Sequence, residues 1–234
     1  VKADAELWAQ KLGGVVLPEG GIRLQEHGAV TSLAGYDEGA WWVQDAAASI
    51  PAQLLGDIKG KRVIDLCAAP GGKTAQLITA GANVTAIDIS KNRVDCIAAD
   101  ALKWKPDVAP DAILLDAPCS ATGTLRRHPD VALNKTPDDI ARLTATQKKL
   151  LHHALDMLLA GGKLVYAVCS LQPEEGEYQI NKLLNERSDV TLSPIISSVF
   201  APYVTPHGML RTLPCHKAEA GGMDGFFAAL LEKK

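Results

Sequence analysis

The stretch "RVIDLCAAPGGKT", residues 62–74, contains the signals that decide the fold. Its first six residues form a short, mostly apolar run that is followed by glycines, a pattern typical of a buried strand that ends in a loop. The next segment, "KTAQLITAGA" (73–82), has helical spacing and a glycine stop at Gly81. The stretch therefore predicts a strand, a loop and a helix, which is the first unit of an α/β fold.

Further strand-like and helical segments follow this first unit. The strand candidates are "NVTAID" (83–88), "CIAAD" (96–100), "DAILLDAP" (111–118), "KLVYAVCS" (163–170), "GMLRTLP" (208–214) and "DGFFAALLEK" (224–233). Helices are predicted from a Thr136 cap to about Leu159, and over "PEEGEYQINKLLNE" (173–186). Strands that alternate with helices predict a doubly wound, mostly parallel sheet, and the late strands can add an antiparallel edge.

Bulk composition is that of a globular protein. The chain has 234 residues, 47% hydrophobic and 22% charged, with a net charge of -3, so any nucleic-acid-binding surface must be local. No apolar run approaches the ~18 residues of a membrane span, and the start lacks the features of a signal peptide. The odd number of cysteines, five, favours a reducing, cytoplasmic setting. Because the chain does not begin with Met, we expect it to be a piece of a longer polypeptide.

One connection is too short for the predicted topology. Only about seven residues join Asp88 to the strand that begins near Cys96, whereas a parallel crossover needs about a dozen or more. We therefore expect a helical segment to be missing around Val94 and Asp95.

Three aspartates follow three successive predicted strands: Asp88, Asp100 and Asp116. The carboxyl ends of such strands face one crevice, where doubly wound sheets bind nucleotides. The glycine loop matches neither G-x-G-x-x-G nor a P-loop, which counts against a dinucleotide enzyme. A single strand-end aspartate is commonly a helix cap, but three in register favour a ligand of the nucleoside type.

Two cysteines lie at the same predicted edge. Cys119 follows the fourth strand and Cys169 ends the fifth. Positive charge from Arg126, Arg127 and His128 is expected to lower the pKa of both thiols. Two reactive thiols beside a nucleoside site suggest covalent catalysis on an electrophilic ring. Cys96 and Cys215 are interpreted as small hydrophobic residues.

Four ordered blocks make the comparison with a family specific: "DLCAAPGGKT", "DAPCSATGTLRRHPD", "VCSLQPEEGE" and "GGMDGFF". They resemble the signature blocks of the RNA cytosine-5 methyltransferases, most closely the RsmB (Sun or Fmu) family that modifies 16S ribosomal RNA. "WWVQDAAA" (41–48) is similar to that family's segment upstream of the first block. The resemblance covers nearly the whole chain.

The resemblance implies a Rossmann-like S-adenosylmethionine-dependent methyltransferase fold. Its mostly parallel, seven-stranded sheet would have an antiparallel edge and would occupy residues 41–234. Residues 1–40 would form a small α+β lead-in subdomain. The family's members usually carry a helical N-terminal RNA-binding domain similar to NusB, and we expect that domain to be missing from this piece of the chain.

Site roles also follow from the resemblance. It implies that Asp88 binds the ribose of S-adenosylmethionine, that Asp100 lies near the adenine and that Asp116 lies between cofactor and target base. Cys169 would be the nucleophile and Cys119 the group that releases the product. The block that binds the cofactor maps to Cys67, Ala68, Ala69, Pro70, Gly71, Gly72 and Lys73.

The expected partner is RNA, 16S ribosomal RNA in the first place, with neither metal nor membrane involved. Arg126, Arg127 and His128 are candidates for holding phosphates, or they form a solvated loop. Lys73 can touch the ligand or pair with a carboxylate.

Alternatives to this substrate and activity remain open. They are a cytosine-5 enzyme for transfer RNA or another ribosomal site, and a non-catalytic RNA-binding module in ribosome assembly. An amino-group methyltransferase would carry a different block after the fourth strand.

Overall fold

A computed structural model describes residues 4–24, 28–90 and 96–234 of the chain. The helices are α1 (Ala5–Leu12), α2 (Ala46–Gln53), α3 (Gly72–Thr79), α4 (Pro137–Met157) and α5 (Glu177–Glu186). The N-terminal strands are β1 (Gly14–Val16) and β2 (Ile22–Leu24). The strands of the main sheet are β3 (Arg62–Leu66), β4 (Asn83–Asp88), β5 (Ile97–Ala98), β6 (Ala112–Asp116), β7 (Lys163–Val168), β8 (Val190–Leu192), β9 (Leu210–Thr212) and β10 (Phe226–Lys233).

The main sheet has the order β5-β4-β3-β6-β7-β10-β8, and β9 pairs with β10 beside this path. Strands β3 to β7 pair in parallel, whereas β10 runs antiparallel to β7, β8 and β9. The predicted Rossmann-like sheet with an antiparallel edge is confirmed. Its continuous path has seven strands, the expected number, and the predicted strand β9 lies beside this path as an eighth. Sequence reasoning missed β8, which has only three residues.

Both faces of the sheet are covered, which explains why its central strands are apolar throughout. Helices α4 and α5 pack on one face, where Leu151, Leu155 and Ile180 are buried. Helix α2 packs on the other face with Ile50, and α3 with Leu77. The sheet is therefore a three-layer core whose strand ends remain free for a site.

The N-terminal segment combines α1 with the antiparallel pair β1–β2. Its carboxylate Glu19 is buried and accepts a hydrogen bond from Tyr203 Oη at 2.7 Å and one from Lys217 Nζ at 2.6 Å. Gln53 Nε2 on α2 donates to the Glu19 carbonyl at 2.7 Å. These contacts fasten the segment to the sheet domain. The division between residues 1–40 and 41–234 stays a prediction.

The short connection before Cys96 is only partly described. Strand β5 pairs in parallel with β4, at Ile87↔Ile97 and Asp88↔Ala98. The expected missing segment at Val94 and Asp95 falls outside the described residues, so that expectation stays a prediction.

Of the helices formed by residues 4–24, 28–90 and 96–234, none combines the length and apolar character that a membrane span requires.

Candidate active site

The loop after β3 is shaped by two residues with positive φ. Cys67 has φ 62° and Gly71 has φ 99°, and only glycine adopts such a conformation at little cost. The Ala68 N–H donates to the Ile87 carbonyl at 3.0 Å, which fastens the loop to β4. The loop then begins α3 at Gly72. Residues 67–73 therefore lie at the carboxyl edge of the sheet, as predicted.

Asp88 supports this loop from the neighbouring strand. It is the last residue of β4, 8% exposed, and its carboxylate accepts the N–H groups of Ala69 and Ser90, each at 2.9 Å. A carboxylate has about four acceptor positions, so each oxygen can accept a further donor. Asp88 can thus hold the loop and still accept a hydroxyl group of a ligand.

Asp100 lies near this edge but not where the sequence predicted it. β5 ends at Ala98, so the expectation that Asp100 ends the third strand is wrong. The strand is short because β4 ends at Asp88 and offers no further pairing. Asp100 instead accepts the Leu102 N–H at 3.0 Å in the following turn.

Asp116 forms an ion pair with Lys73. It ends β6, and its Oδ2 lies 2.7 Å from Lys73 Nζ. The Lys73 side chain is 10% exposed and its Nζ lies 5.0 Å from the centroid of the Phe226 ring. The open question about Lys73 is thereby answered: its ammonium group binds the Asp116 carboxylate.

The two thiols meet at the ends of β6 and β7. Cys119 Sγ and Cys169 Sγ are 3.4 Å apart, and both cysteines are free. The pKa of Cys169 is lowered, chiefly because Cys119 can donate its S–H to the Cys169 thiolate; Lys73 lowers it further. The pKa of Cys119 is raised, first by that same hydrogen bond and then by burial. Cys169 is therefore the better thiolate and Cys119 the better proton donor.

This result corrects the expectation that arginines and a histidine lower the pKa of both thiols. Only the pKa of Cys169 falls, and Lys73 is the cation that lowers it most; Arg127 also interacts with the charge on Cys169. The two arginines are bound elsewhere. Arg127 makes a two-pronged ion pair with Asp224, through Nε at 3.0 Å and Nη2 at 2.5 Å.

The second arginine belongs to the same cluster. Arg126 Nη2 lies 3.0 Å from Asp45 Oδ2 and 3.3 Å from Asp224 Oδ1. Both carboxylates are buried, whereas the side chains of Arg126 and Arg127 are 35% and 44% exposed. His128 is exposed. The interpretation of these three residues as phosphate contacts stays a prediction.

A comparison with known proteins identifies the family. A family model described as 16S rRNA methyltransferase RsmB/F matches residues 52–232. The chain belongs to the RsmB/F family.

Similar proteins support this assignment. The ribosomal RNA small subunit methyltransferase B of Erwinia tasmaniensis is 37% identical over 91% of this chain, and that of Pseudomonas syringae pv. tomato is 40% identical over 91%. The chain covers 52% of each of these proteins, about half of their length.

Two solved structures are also similar. NSun6 from Pyrococcus horikoshii, solved with SFG, has a TM-score of 0.74 and 30% identity, covering 88% of this chain and 56% of that one. A methyltransferase homologue from the same organism has a TM-score of 0.80 and 28% identity, covering 100% of this chain and 84% of that one.

The sequence analysis of this RsmB/F family member missed a buried acid in β3, the strand that precedes the loop of residues 67–73. Asp65 in β3 is fully buried and accepts the Thr74 hydroxyl at 2.6 Å. Its Oδ1 has no hydrogen-bond partner among the described residues. Burial raises the pKa of Asp65 to about 7. The signal was an aspartate inside an otherwise apolar strand.

Three further acids were missed: Asp45, Asp224 and Glu175. Asp45 and Asp224 stand in the blocks "WWVQDAAA" and "GGMDGFF", but their arginine partners are 81 to 98 residues away in the chain. Glu175 is buried directly behind the two thiols, where it accepts the Ser120 N–H at 2.9 Å. No local pattern in the sequence indicates such distant pairings.

A cavity of about 710 Å³ lies apart from the thiols, between the N-terminal segment and helices α2 and α3. Trp41, Trp42 and Gln44 line it. Within the described ranges, no group of three or more His, Cys, Asp or Glu side chains is arranged to hold a metal ion.

Proposed function

We propose that this chain carries the catalytic part of an RNA (cytosine-5)-methyltransferase that acts on 16S ribosomal RNA. It would transfer a methyl group from S-adenosylmethionine to carbon 5 of cytosine through a covalent cysteine adduct. The observation that carries the proposal is the pair of thiols, 3.4 Å apart and with pKa values shifted in opposite directions, beside Asp116 and Lys73.

Such a pair suits the chemistry because carbon 5 of cytosine is a poor nucleophile. In the proposed reaction the Cys169 thiolate adds to carbon 6, and the electron pair of the carbon 5–carbon 6 double bond becomes available at carbon 5. Asp116 can hydrogen-bond the N3/N4 edge of the base while the charge there changes. The electron pair at carbon 5 would then form the new bond to the methyl carbon. The bond from that methyl group to the sulfonium would break at the same time, and its electron pair would stay on the sulfur, which becomes a neutral thioether.

Release of the product needs a base, and the same thiol pair can supply it. Once Cys169 Sγ is bound to carbon 6 it carries no negative charge, so two causes of the raised Cys119 pKa disappear: the hydrogen bond to the thiolate and its charge. Cys119 can then give its own proton to a water molecule and, as a thiolate, accept the one from carbon 5. The electron pair of that C–H bond re-forms the double bond as the sulfur–carbon 6 bond breaks.

The cofactor candidates fit S-adenosylmethionine by the chemistry of their donor set. When bound, the cofactor supplies an electrophilic methyl group on a sulfonium. Asp88 retains acceptor positions for ribose hydroxyls, and Asp100, 41% exposed, can accept from the adenine amino group. The loop of residues 67–73 would provide backbone contacts beside them.

RNA recognition follows from where the reaction takes place. A base must leave its stack to reach two thiols at the end of a sheet, which favours an unpaired segment of RNA. The names of the relatives specify the small ribosomal subunit, so we propose 16S ribosomal RNA as substrate. Arg126, Arg127 and His128 line the loop after Cys119 and would contact phosphates there.

A trapping experiment tests this proposal with the full-length protein, S-adenosylmethionine and unmodified 16S ribosomal RNA. The Cys119→Ala variant lacks the release group, so we expect a protein–RNA adduct that survives denaturation on a gel. The Cys169→Ala, Cys119→Ala double variant should bind the RNA and give no adduct. Absence of the adduct from the single variant, together with absence of 5-methylcytosine from the wild-type reaction, would overturn the proposal.

A further inference from the structure

A buried carboxylate joins the two loops that carry the thiols. Glu175 is fully buried, and its Oε1 accepts the Ser120 N–H at 2.9 Å and Gln147 Nε2 at 3.0 Å. Its Oε2 accepts the hydroxyl groups of Ser120 and Ser170, each at 2.5 Å. Ser120 follows Cys119 and Ser170 follows Cys169, so a single side chain bridges the residues next to both thiols.

The bridge belongs to a fully hydrogen-bonded network. The Ser120 and Ser170 hydroxyl groups are 3.1 Å apart, and Thr122 Oγ1 lies 3.3 Å from each of them. The Leu171 N–H donates to Thr122 Oγ1 at 3.0 Å. Each loop is thus bound to the other at several atoms, and Glu175 is the acceptor that its neighbours share.

The backbone around this network is also fixed. Tyr166 Oη donates to the Glu175 carbonyl at 2.7 Å, and Gln147 Nε2 donates to the Pro118 carbonyl at 2.9 Å. Gly123 lies so close to Gly225 that an added Cβ would be 1.8 Å from the Gly225 carbonyl oxygen. The Gly123 N–H also donates to the Cys169 carbonyl at 3.0 Å, so hydrogen bonds and close packing hold the two cysteine loops together.

No ion pair of the described residues involves Glu175, so neutral donors alone compensate for its burial. Burying a carboxylate without a cation is unfavourable unless hydrogen bonds satisfy it, and here four donors do. A buried position that served only packing would be filled by an apolar side chain and would need no carboxylate. The position of Glu175, behind the thiols and out of reach of solvent, points to a role in arranging them.

We propose that Glu175 is a positioning residue for methyl transfer: it fixes the distance between the Cys119 and Cys169 sulfurs and directs the Cys119 S–H toward Cys169. This inference rests on the proposed cytosine-5 methyltransferase activity. The charge of Glu175 acts in the same sense, because it is among the causes that raise the pKa of Cys119 and keep that thiol protonated. Glu175 itself does not touch the reacting atoms.

The test compares Glu175→Gln with Glu174→Gln in the full-length protein. Glu174 is an exposed neighbour, so its variant removes the same charge without touching the network. Alkylation of each cysteine by iodoacetamide is followed against pH, with the labelled peptides separated by mass spectrometry. In Glu175→Gln the hydrogen bond between the two thiols should be weakened. We therefore expect the midpoint pH of alkylation to rise for Cys169 and to fall for Cys119.

Methyl transfer is measured in parallel. We expect kcat of Glu175→Gln to fall about tenfold to a hundredfold, as misplacement of a catalytic group by about 1 Å does. The pH profile of kcat for Glu175→Gln should shift in the same direction as the alkylation midpoint of Cys169. Glu174→Gln should match the wild type both in alkylation and in methyl transfer. A folded Glu175→Gln protein with wild-type alkylation midpoints and pH profile would overturn the inference.

A second variant covers the case in which Glu175→Gln does not fold. Ser170→Ala removes the link on the Cys169 side alone, and we expect a smaller shift of the Cys169 midpoint in the same direction; an unchanged midpoint would overturn the inference. The two proposals fail separately. A wild-type protein that makes no 5-methylcytosine refutes the proposed function, whereas unchanged midpoints in the variants refute only the role of Glu175.

Discussion

Two buried acids, Asp65 and Glu175, are compensated very differently. Glu175 accepts four hydrogen bonds, whereas Asp65 accepts one from Thr74 and has an oxygen without a partner among the described residues. Burial therefore raises the pKa of Asp65 to about 7, above the usual value of about 4. At the scale of the residue, the raised pKa of Asp65 makes the stability of the protein depend on pH.

The raised pKa of Asp65 has a definite sign for stability. Between about pH 4 and about pH 7 the native state retains the Asp65 proton and the unfolded chain releases it. The free energy of unfolding should therefore fall as the pH rises through this window, by an amount on the order of a few kcal/mol. The contribution is complete below about pH 4 and lost above about pH 7.

The Asp65→Asn variant tests this prediction, since it keeps the shape and cannot ionise. Urea unfolding at a series of pH values should show a flatter pH dependence for Asp65→Asn than for the wild type. The Asp107→Asn variant is the control, because Asp107 is exposed. Equal slopes for Asp65→Asn and the wild type would show that Asp65 is not the group responsible.

At the scale of elements, Asp224 connects three parts of the fold. It lies just before β10 and binds Arg126 and Arg127 in the loop after Cys119. Its N–H donates to Asp45 Oδ1 at 3.0 Å, and Asp45 is the residue that caps α2. The ion-pair cluster thus joins α2, the loop and the antiparallel edge of the sheet.

Removing the Asp224 charge should destabilise this junction. We expect Asp224→Asn to lower the free energy of unfolding by about 1–3 kcal/mol, less than for a fully buried pair because both arginines reach solvent. Denaturant unfolding measures the change, with Asp130→Asn, an exposed acid of the same loop, as control. A loss no larger than that of the control would show that the cluster contributes little to stability.

At the scale of the whole molecule, a chain of net charge -3 would need a local surface to hold the proposed RNA substrate. The side chain of Arg126, in the loop after Cys119, is 35% exposed and therefore partly open to solvent. If it also contacts a phosphate, its removal should change how RNA affinity depends on salt.

The Arg126→Gln variant is therefore predicted to bind 16S ribosomal RNA more weakly. The slope of log K against log salt should fall by about 0.7 for a single-stranded contact. Lys182→Gln is the matched control, since Lys182 is exposed on α5, a helix that packs on the face of the sheet opposite to α2. If Arg126→Gln is less stable but its RNA affinity and salt slope are unchanged, Arg126 does not contact RNA and serves only in its ion pairs with Asp45 and Asp224.

The order of strands and helices was predictable because hydrophobic runs, glycine stops and caps are local signals. They located the loop at 67–73, and the rule that parallel strands end at one edge brought Cys119 and Cys169 together. The sequence analysis missed β8 and placed the end of β5 at Asp100 and not at Ala98, because strands of two or three residues have little sequence pattern. Pairing with a neighbouring strand, and not local sequence, sets their ends.

The sequence by itself determined the α/β class, the sheet edge that holds the candidate site and the two cysteines that meet there. Only the tertiary structure decided which thiol has the lowered pKa, that Lys73 binds Asp116, and that Arg126 and Arg127 bind buried carboxylates. It also placed Glu175 behind both cysteines. The physical reason is that a charge or a hydrogen bond acts through space, here between side chains up to 98 residues apart in the chain. A local sequence pattern reflects only the preferences of residues that are neighbours along the chain.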